Sequence, residues 1–273
     1  MAIKNILIIG GGNMGYAISY GITNKGVYKK GSVFIIESDL KRIKSLKKNK
    51  YKVFKNISIA LKNNKKFDAI ILAVKPNNIS TVANELKNTV PKNTLIISIA
   101  AGITLKKLSS FFSDNKLPIA RVMPNTPCQV GEGMSVITLN KNVSQNQKSI
   151  VKNIFQSLGK TIELQEEKLN LVTAVSGSGP AYFCYLIECM VKSAAKLGIN
   201  EKQALPLVLQ TAYGTTLLLL KHSLLPESLR KKVTSAKGTT EAALKVFQTK
   251  RFDEIVYSAV RAAKDRAGQL SKA

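Results

Sequence analysis

From residue 5 to about 165 the chain alternates short apolar, β-branched runs with longer stretches in which apolar residues return every three or four positions. The runs at 5–9, 33–36, 52–54, 68–74, 94–99, 119–122, 135–139 and 161–164 read as strands. Several are apolar without alternation, as expected where helices cover both faces of a parallel sheet. Between them, 14–25, 39–49, 78–88, 104–111 and 144–158 carry helical spacing, and several open on Asp, Asn, Thr or Ser as N-caps. Strand, helix, strand, repeated, predicts an α/β fold: a doubly wound Rossmann-type sheet over 1–165. Beyond Glu166 the strands stop. The stretches 180–197, 201–221, 239–247 and 252–270 read as helices punctuated by Gly198, Pro226 and Gly238, which predicts an all-helical domain over 166–273. Helix 180–197 is apolar nearly all round, with Tyr182, Phe183, Tyr185, Leu186, Met190 and Val191. Such a helix is buried in a large core or against a second subunit. Cys184 and Cys189, on the same helix, are expected to be core residues.

A length of 273 residues fits two domains of ordinary size. With 45% hydrophobic and 21% charged residues the composition is globular, not disordered. The charge is less usual: 42 Lys+Arg against 16 Asp+Glu gives +26. Only six of these cations are Arg, and the lysines are scattered among asparagines. A nucleic-acid reader gathers Arg in a stripe or recognition helix, so the charge reads as compositional bias on a solvated surface. Non-specific anion binding at low salt is all it implies. Three cysteines cannot all pair within one chain, which points to a reducing, cytoplasmic setting. The N-terminal apolar run stops at glycines and not at a cleavage site, and no long uninterrupted apolar segment predicts a membrane span. A single histidine, His222, argues against a His-rich metal site, and no metal is expected.

Chemistry enters at Gly10-Gly11-Gly12-Asn13-Met14-Gly15, which fits G-x-G-x-x-G between the strand ending at Ile9 and a helix opening at Met14. In that context Gly10 permits the tight turn, Gly12 lets backbone approach a pyrophosphate, and Gly15 allows close packing of helix on strand. The helix N-terminus then faces the phosphates. Glu37, 22 residues after Gly15, is placed to bind a ribose 2′-hydroxyl and favour NADH; Ser38, Lys41 and Arg42 are equally placed to accommodate the 2′-phosphate of NADPH. Both cofactors stay open. Two more strand ends, Ala73-Val74-Lys75-Pro76 and Ala100-Ala101-Gly102, fall at the same crevice. With Asn56 they complete the expected cofactor site.

The motifs GGGNMG, AVKP, SIAAG, RVMPNTP (121–127), GEGM (131–134), SGSGPAYF (176–183) and TSAKGTTEAAL (234–244) occur in this order. Together they make the sequence resemble the pyrroline-5-carboxylate reductases over essentially its whole length. The resemblance implies an N-terminal Rossmann domain, a C-terminal helical dimerisation domain, an active site at their junction completed across a homodimer or larger ring, and NAD(P)H-dependent reduction of a cyclic imine to L-proline. It places substrate binding on Ser235, Gly238, Thr239 and Thr240, with Thr240 the hydroxyl nearest the imine nitrogen, as orienter or proton relay. A helix N-terminus rich in hydroxyls and N–H groups suits a carboxylate; the plainer role for Thr239 or Thr240 is to cap the helix that follows. Asn125 has an amide suited to a nicotinamide carboxamide or a substrate oxygen, and equally to a bond with its own backbone in a rigid turn. Ser176–Gly179 are expected to open the apolar helix and line the pocket only indirectly. The family pattern SPGGTT is here Ser235-Ala236-Lys237-Gly238-Thr239-Thr240. Losing the proline frees the loop, and a side chain replaces a glycine at a position suited to positive φ.

Two other readings compete. A β-hydroxyacid dehydrogenase shares the architecture and would use Lys192, but leaves GTTEAAL without a role. A basic nucleic-acid-binding protein accounts for the charge alone, and aromatics at 6% supply few stacking platforms.

Overall fold

The computed structural model describes residues 5–61, 66–87, 89–91, 93–112 and 116–272. Eight strands form one sheet: β1 (Ile6–Ile9), β2 (Val33–Ile36), β3 (Lys52–Phe54), β4 (Ala69–Leu72), β5 (Leu95–Ser98), β6 (Ile119–Met123), β7 (Gly133–Leu139) and β8 (Gly159–Glu163). Their order is β3-β2-β1-β4-β5-β6-β7-β8. All neighbours are parallel except β6 and β7, which pair antiparallel. The order reverses between β1 and β4, the switch point at which open α/β sheets bind ligands.

The helices are α1 (Asn13–Asn24), α2 (Leu40–Lys48), α3 (Ile57–Leu61), α4 (Ile79–Leu86), α5 (Leu105–Phe112), α6 (Gln145–Gln156), α7 (Leu169–Val172), α8 (Gly179–Lys196), α9 (Glu201–His222), α10 (Pro226–Lys232), α11 (Thr239–Thr249) and α12 (Phe252–Lys272). Successive side chains of a strand point to opposite faces, so β1 feeds two cores. Ile6 and Ile8 pack with Ile18 and Ile22 of α1 and with Val151, Ile154 and Phe155 of α6. Leu7 and Ile9 pack with Ile57, Ile79, Leu86 and Leu108 of α3, α4 and α5. Polar residues set helix starts as expected: Asp39 accepts the Arg42 N–H, Asn200 that of Gln203, and Ser144 forms a capping box with Gln147. The expected end of the fourth helix at Asn88 lies outside the described residues, as do residues 1–4.

The chain divides into two compact units, 1–178 with 263–273, and 179–262. Within the first, the segment after β8 and the C-terminal turns of α12 pack with the sheet domain: the Ser271 hydroxyl donates to Asn170 Oδ1 at 3.1 Å. A π-helical turn over Thr173–Gly177 joins α7 to α8. In the second unit, α8 and α9 meet around Val191, Ala204 and Val208. Elsewhere α8 is open, which corrects the expectation of Cys184 and Cys189 as core residues and leaves, of the two burials expected for this helix, the one against a second subunit: Phe183 is 69% and Tyr185 68% exposed, and both cysteines are exposed as well. Helix α9 is also long and apolar enough to cross a membrane by length and composition, and little of it is buried. Its apolar residues are interrupted by Gln and Thr, so no uninterrupted apolar segment marks it in the sequence.

Candidate cofactor and substrate site

The glycine loop leaves β1 with Gly10 at φ +105, a conformation that L side chains rarely adopt. Its N–H donates to the Ile36 carbonyl at 2.8 Å, tying the turn to β2. A Cβ on Gly10 would come within 2.5 Å of the Ala73 carbonyl oxygen, and one on Gly15 would overlap the Gly10 carbonyl oxygen. Both glycines are therefore required by close approach of backbone to backbone. Gly12 is the N-cap of α1 and no side chain caps it, so the first-turn N–H groups face outward. Asn13 is exposed beside them, while Met14 turns its side chain into the core and offers only backbone. An anionic group fits this cradle, which has the backbone geometry of a pyrophosphate site.

Two cavities flank the loop. One of about 300 Å³ is lined by Ile9, Gly10, Glu37, Ser38, Asn56 and Val74 from the expected set, and by Lys55, Ile57, Asn78 and Thr81. The other, about 180 Å³, is lined by Gly11, Gly12, Asn13 and Arg42, and by Tyr16 and Gln129. Lys55, Asn78 and Thr81 carry no motif in the sequence: Lys55 lies in the connection after β3, and Asn78 and Thr81 stand at the start of α4 among residues whose spacing marks only a helix. Asn56 is itself held, its Oδ1 accepting from Ser58 Oγ and the Ile59 N–H at 3.1 Å. Ala73, Lys75 and Pro76 lie at the end of β4 without lining either cavity, and Ala100 is buried in the second core, with Ala101 beside it half-buried.

Glu37 does not stand free for a ligand. It is 7% exposed. Its carboxylate accepts the N–H groups of Gly11 at 2.9 Å, Ser38 at 2.7 Å and Asp39 at 2.9 Å.

The RVMPNTP loop follows β6. Asn125 uses its amide across the loop and not on its own backbone: Oδ1 accepts the Met134 N–H at 2.9 Å and Nδ2 donates to Ser176 Oγ at 3.4 Å. Ser176 belongs to the π-helical turn, so the SGSG motif buttresses this loop. Beneath it Arg121, 5% exposed, donates to Glu166 Oε1 at 2.9 Å, and the same oxygen accepts the Leu105 N–H at 2.7 Å. Cys128, also buried, keeps its proton because burial pushes the thiol pKa up. It offers no thiolate.

In the second unit the loop 235–238 leads into α11. Thr239 and Thr240 occupy its first two positions and Gly238 is the N-cap, with no side-chain cap bond. This removes the capping role expected of the threonines and leaves their hydroxyls beside the first-turn N–H groups. Lys237 takes φ +59, the left-handed conformation foreseen for a glycine position. Its N–H donates to Glu241 Oε2 at 2.6 Å. Lys192 is 67% exposed and pairs with Glu188 one turn away on the surface of α8.

Residues 166–270 match the model of the pyrroline-5-carboxylate reductase dimerisation domain, and 5–102 match that of coenzyme F420-dependent NADP oxidoreductases. A pyrroline-5-carboxylate reductase of Haemophilus influenzae is 35% identical, covering 99% of this chain and 98% of that protein. The chain belongs to the pyrroline-5-carboxylate reductase family. Among solved reductases of the family, one from Coxiella burnetii superposes with a TM-score of 0.91 at 32% identity, covering 99% of this chain and 100% of that one. A Plasmodium falciparum reductase described with NADP bound gives 0.87 at 31% identity, with 99% of each chain covered. The reductase likeness therefore spans both units and every motif that suggested it.

Proposed function

We propose that this chain reduces 1-pyrroline-5-carboxylate to L-proline with NADPH or NADH, the last step of proline biosynthesis. The full-length likeness to reductases of that name carries the reading, because it covers the glycine loop and the loop at 235–240 together. A bound nicotinamide dinucleotide supplies the hydride, so the protein needs orientation and electrostatics and no nucleophile. Gly10, Gly11 and Gly12 with the N-terminus of α1 hold the pyrophosphate, and the two flanking cavities receive the rest of the nucleotide. The strand-end residues Ala73–Pro76, Ala100 and Ala101 present backbone to it. The N–H groups at the start of α11, with Ser235, Gly238 and Thr239, hold the substrate carboxylate. Thr240 is the hydroxyl nearest the imine nitrogen, orienting it or relaying a solvent proton to it as the hydride adds to carbon, so the hydroxyl is reprotonated and the nitrogen gains its N–H. Asn125, having given one amide hydrogen to Ser176, keeps the other for a substrate oxygen.

The dimerisation match and the open apolar face of α8 and α9 support a homodimer, with residues 166–273 as the substrate and dimerisation region. The free thiols support a reducing, cytoplasmic setting. The test is the loss of absorbance at 340 nm when the purified protein meets the imine, with NADPH and NADH in separate assays. Imine-dependent oxidation is expected, and T240V should lower kcat/KM by about a hundredfold, the scale of a lost proton donor. Nucleotide binding without imine-dependent oxidation would overturn the assigned substrate.

A further inference from the structure

In a Rossmann fold, an acid at the end of β2 ordinarily binds the ribose hydroxyls of NADH. Here that acid is spent. A carboxylate offers about four acceptor sites. Three backbone N–H groups occupy the two oxygens of Glu37, and Arg42 Nη1 stands 3.8 Å from Oε2. One of those bonds, from Gly11, fastens the glycine loop to the end of β2. Turning Glu37 toward a ribose would strip these N–H groups in a site that is 7% exposed, and unsatisfied buried donors cost more than a ribose bond returns.

The groups around it favour an added phosphate. Ser38 and Lys55 line the 300 Å³ cavity together with Glu37, and Arg42, with a side chain 57% exposed, lines the 180 Å³ cavity and reaches to 3.8 Å from Glu37. From 37 to 56 the chain has eight Lys or Arg and only two acids, Glu37 and Asp39. Glu85 is the other acid on the larger cavity. Asp39 spends one oxygen capping α2 through the Arg42 N–H.

We propose that Glu37 is an internal strap of the glycine loop and not a ribose ligand, and that Ser38, Arg42 and Lys55 receive the 2′-phosphate and make this chain prefer NADPH. The proposal rests on the crevice being a dinucleotide site, not on which imine is reduced, so its test uses binding of the adenosine halves alone. Calorimetric titration with 2′,5′-ADP and with 5′-ADP separates the two claims. The intact protein should bind 2′,5′-ADP at least tenfold more tightly, and R42A/K55A should bring that ratio to about threefold or less. K44A/K48A removes the same charge from positions lining neither cavity, and should leave the ratio as it is. E37Q should lower the melting temperature and weaken both nucleotides by a similar factor, since the loop loses its strap.

Equal binding of the two nucleotides by the intact protein would overturn the proposal while leaving the dinucleotide site standing. So would selective loss of 5′-ADP binding in E37Q, or an equal fall of the ratio in K44A/K48A. Binding of neither nucleotide would overturn the dinucleotide site and the proposal together.

Discussion

Glu241 shows what one residue does when a loop departs from its pattern. With alanine at 236 and lysine at 237, the loop at 235–238 has neither a proline to restrict it nor a glycine to accept positive φ cheaply. A side chain in the left-handed region costs about 1–2 kcal/mol. Glu241 offsets this by accepting the Lys237 N–H at 2.6 Å, a charge-assisted bond across the turn it must hold. Such bonds contribute about 1.5–3 kcal/mol when sheltered, and less in an exposed loop. E241A is therefore expected to raise KM for the imine about five- to tenfold with kcat changed less than twofold, because the loop must be ordered by substrate instead. An equal fall in kcat at unchanged KM would place Glu241 in the chemistry and not in the latch. Neither this bond nor the strap at Glu37 was legible in the sequence. There, Glu241 is one letter of a motif and Glu37 one of two alternatives for the ribose, beside Ser38, Lys41 and Arg42 for a phosphate, because side chains that serve their own backbone leave no periodic trace.

At the scale of elements, helix ends carry the mark of this lysine-rich composition. Helix α8 closes with Gly198 at φ +106, its N–H on Ala195 O and the Ile199 N–H on Ala194 O. This is a Schellman ending, for which glycine is the usual residue. Helix α2 makes the same pair of bonds, Lys50 N–H to Lys47 O at 2.8 Å and Tyr51 N–H to Leu46 O at 3.2 Å, with Lys50 at φ +62. Relief of the left-handed strain, about 1–2 kcal/mol, exceeds the roughly 0.4–1 kcal/mol that glycine loses through the unfolded chain. K50G should thus stabilise the protein by about 0.5–1 kcal/mol, read as a higher denaturation midpoint at constant slope. A lower midpoint would mean that the lysine side chain contributes more than its backbone costs. The central strands are readable because 6–9, 33–36, 69–72 and 95–97 are continuous apolar runs buried on both faces. Helix α3 and the turn at 173–177 were not, since five residues complete too little of a helical period and a π-turn has none.

The whole molecule presents a contradiction that a second copy resolves. Among the described residues of 179–262, Val191, Ala204 and Val208 form the buried core, while Phe183, Tyr185, Leu207, Leu220, Tyr213 and Tyr257 are each more than half exposed. Burying one such side chain is worth about 1.5–3 kcal/mol, so a handful left in water outweighs what three small residues supply. Exposed apolar area of this extent marks an interface. The residues also sit where the match to a dimerisation domain falls, at 166–270. The oligomer is then part of the fold and not an addition to it, and stability becomes a function of protomer concentration. The melting temperature should rise with dilution reversed, from nanomolar toward micromolar protein. F183D/Y185D, which sets two buried charges in each copy of the interface, should move the mass measured by light scattering from dimer or larger to monomer. Activity should fall with it, because the helices bearing Thr239 and Thr240 lose their support. A monodisperse monomer at micromolar concentration, melting independently of dilution, would refute this account. It would also leave the apolar length of α9 to be covered by something other than this chain.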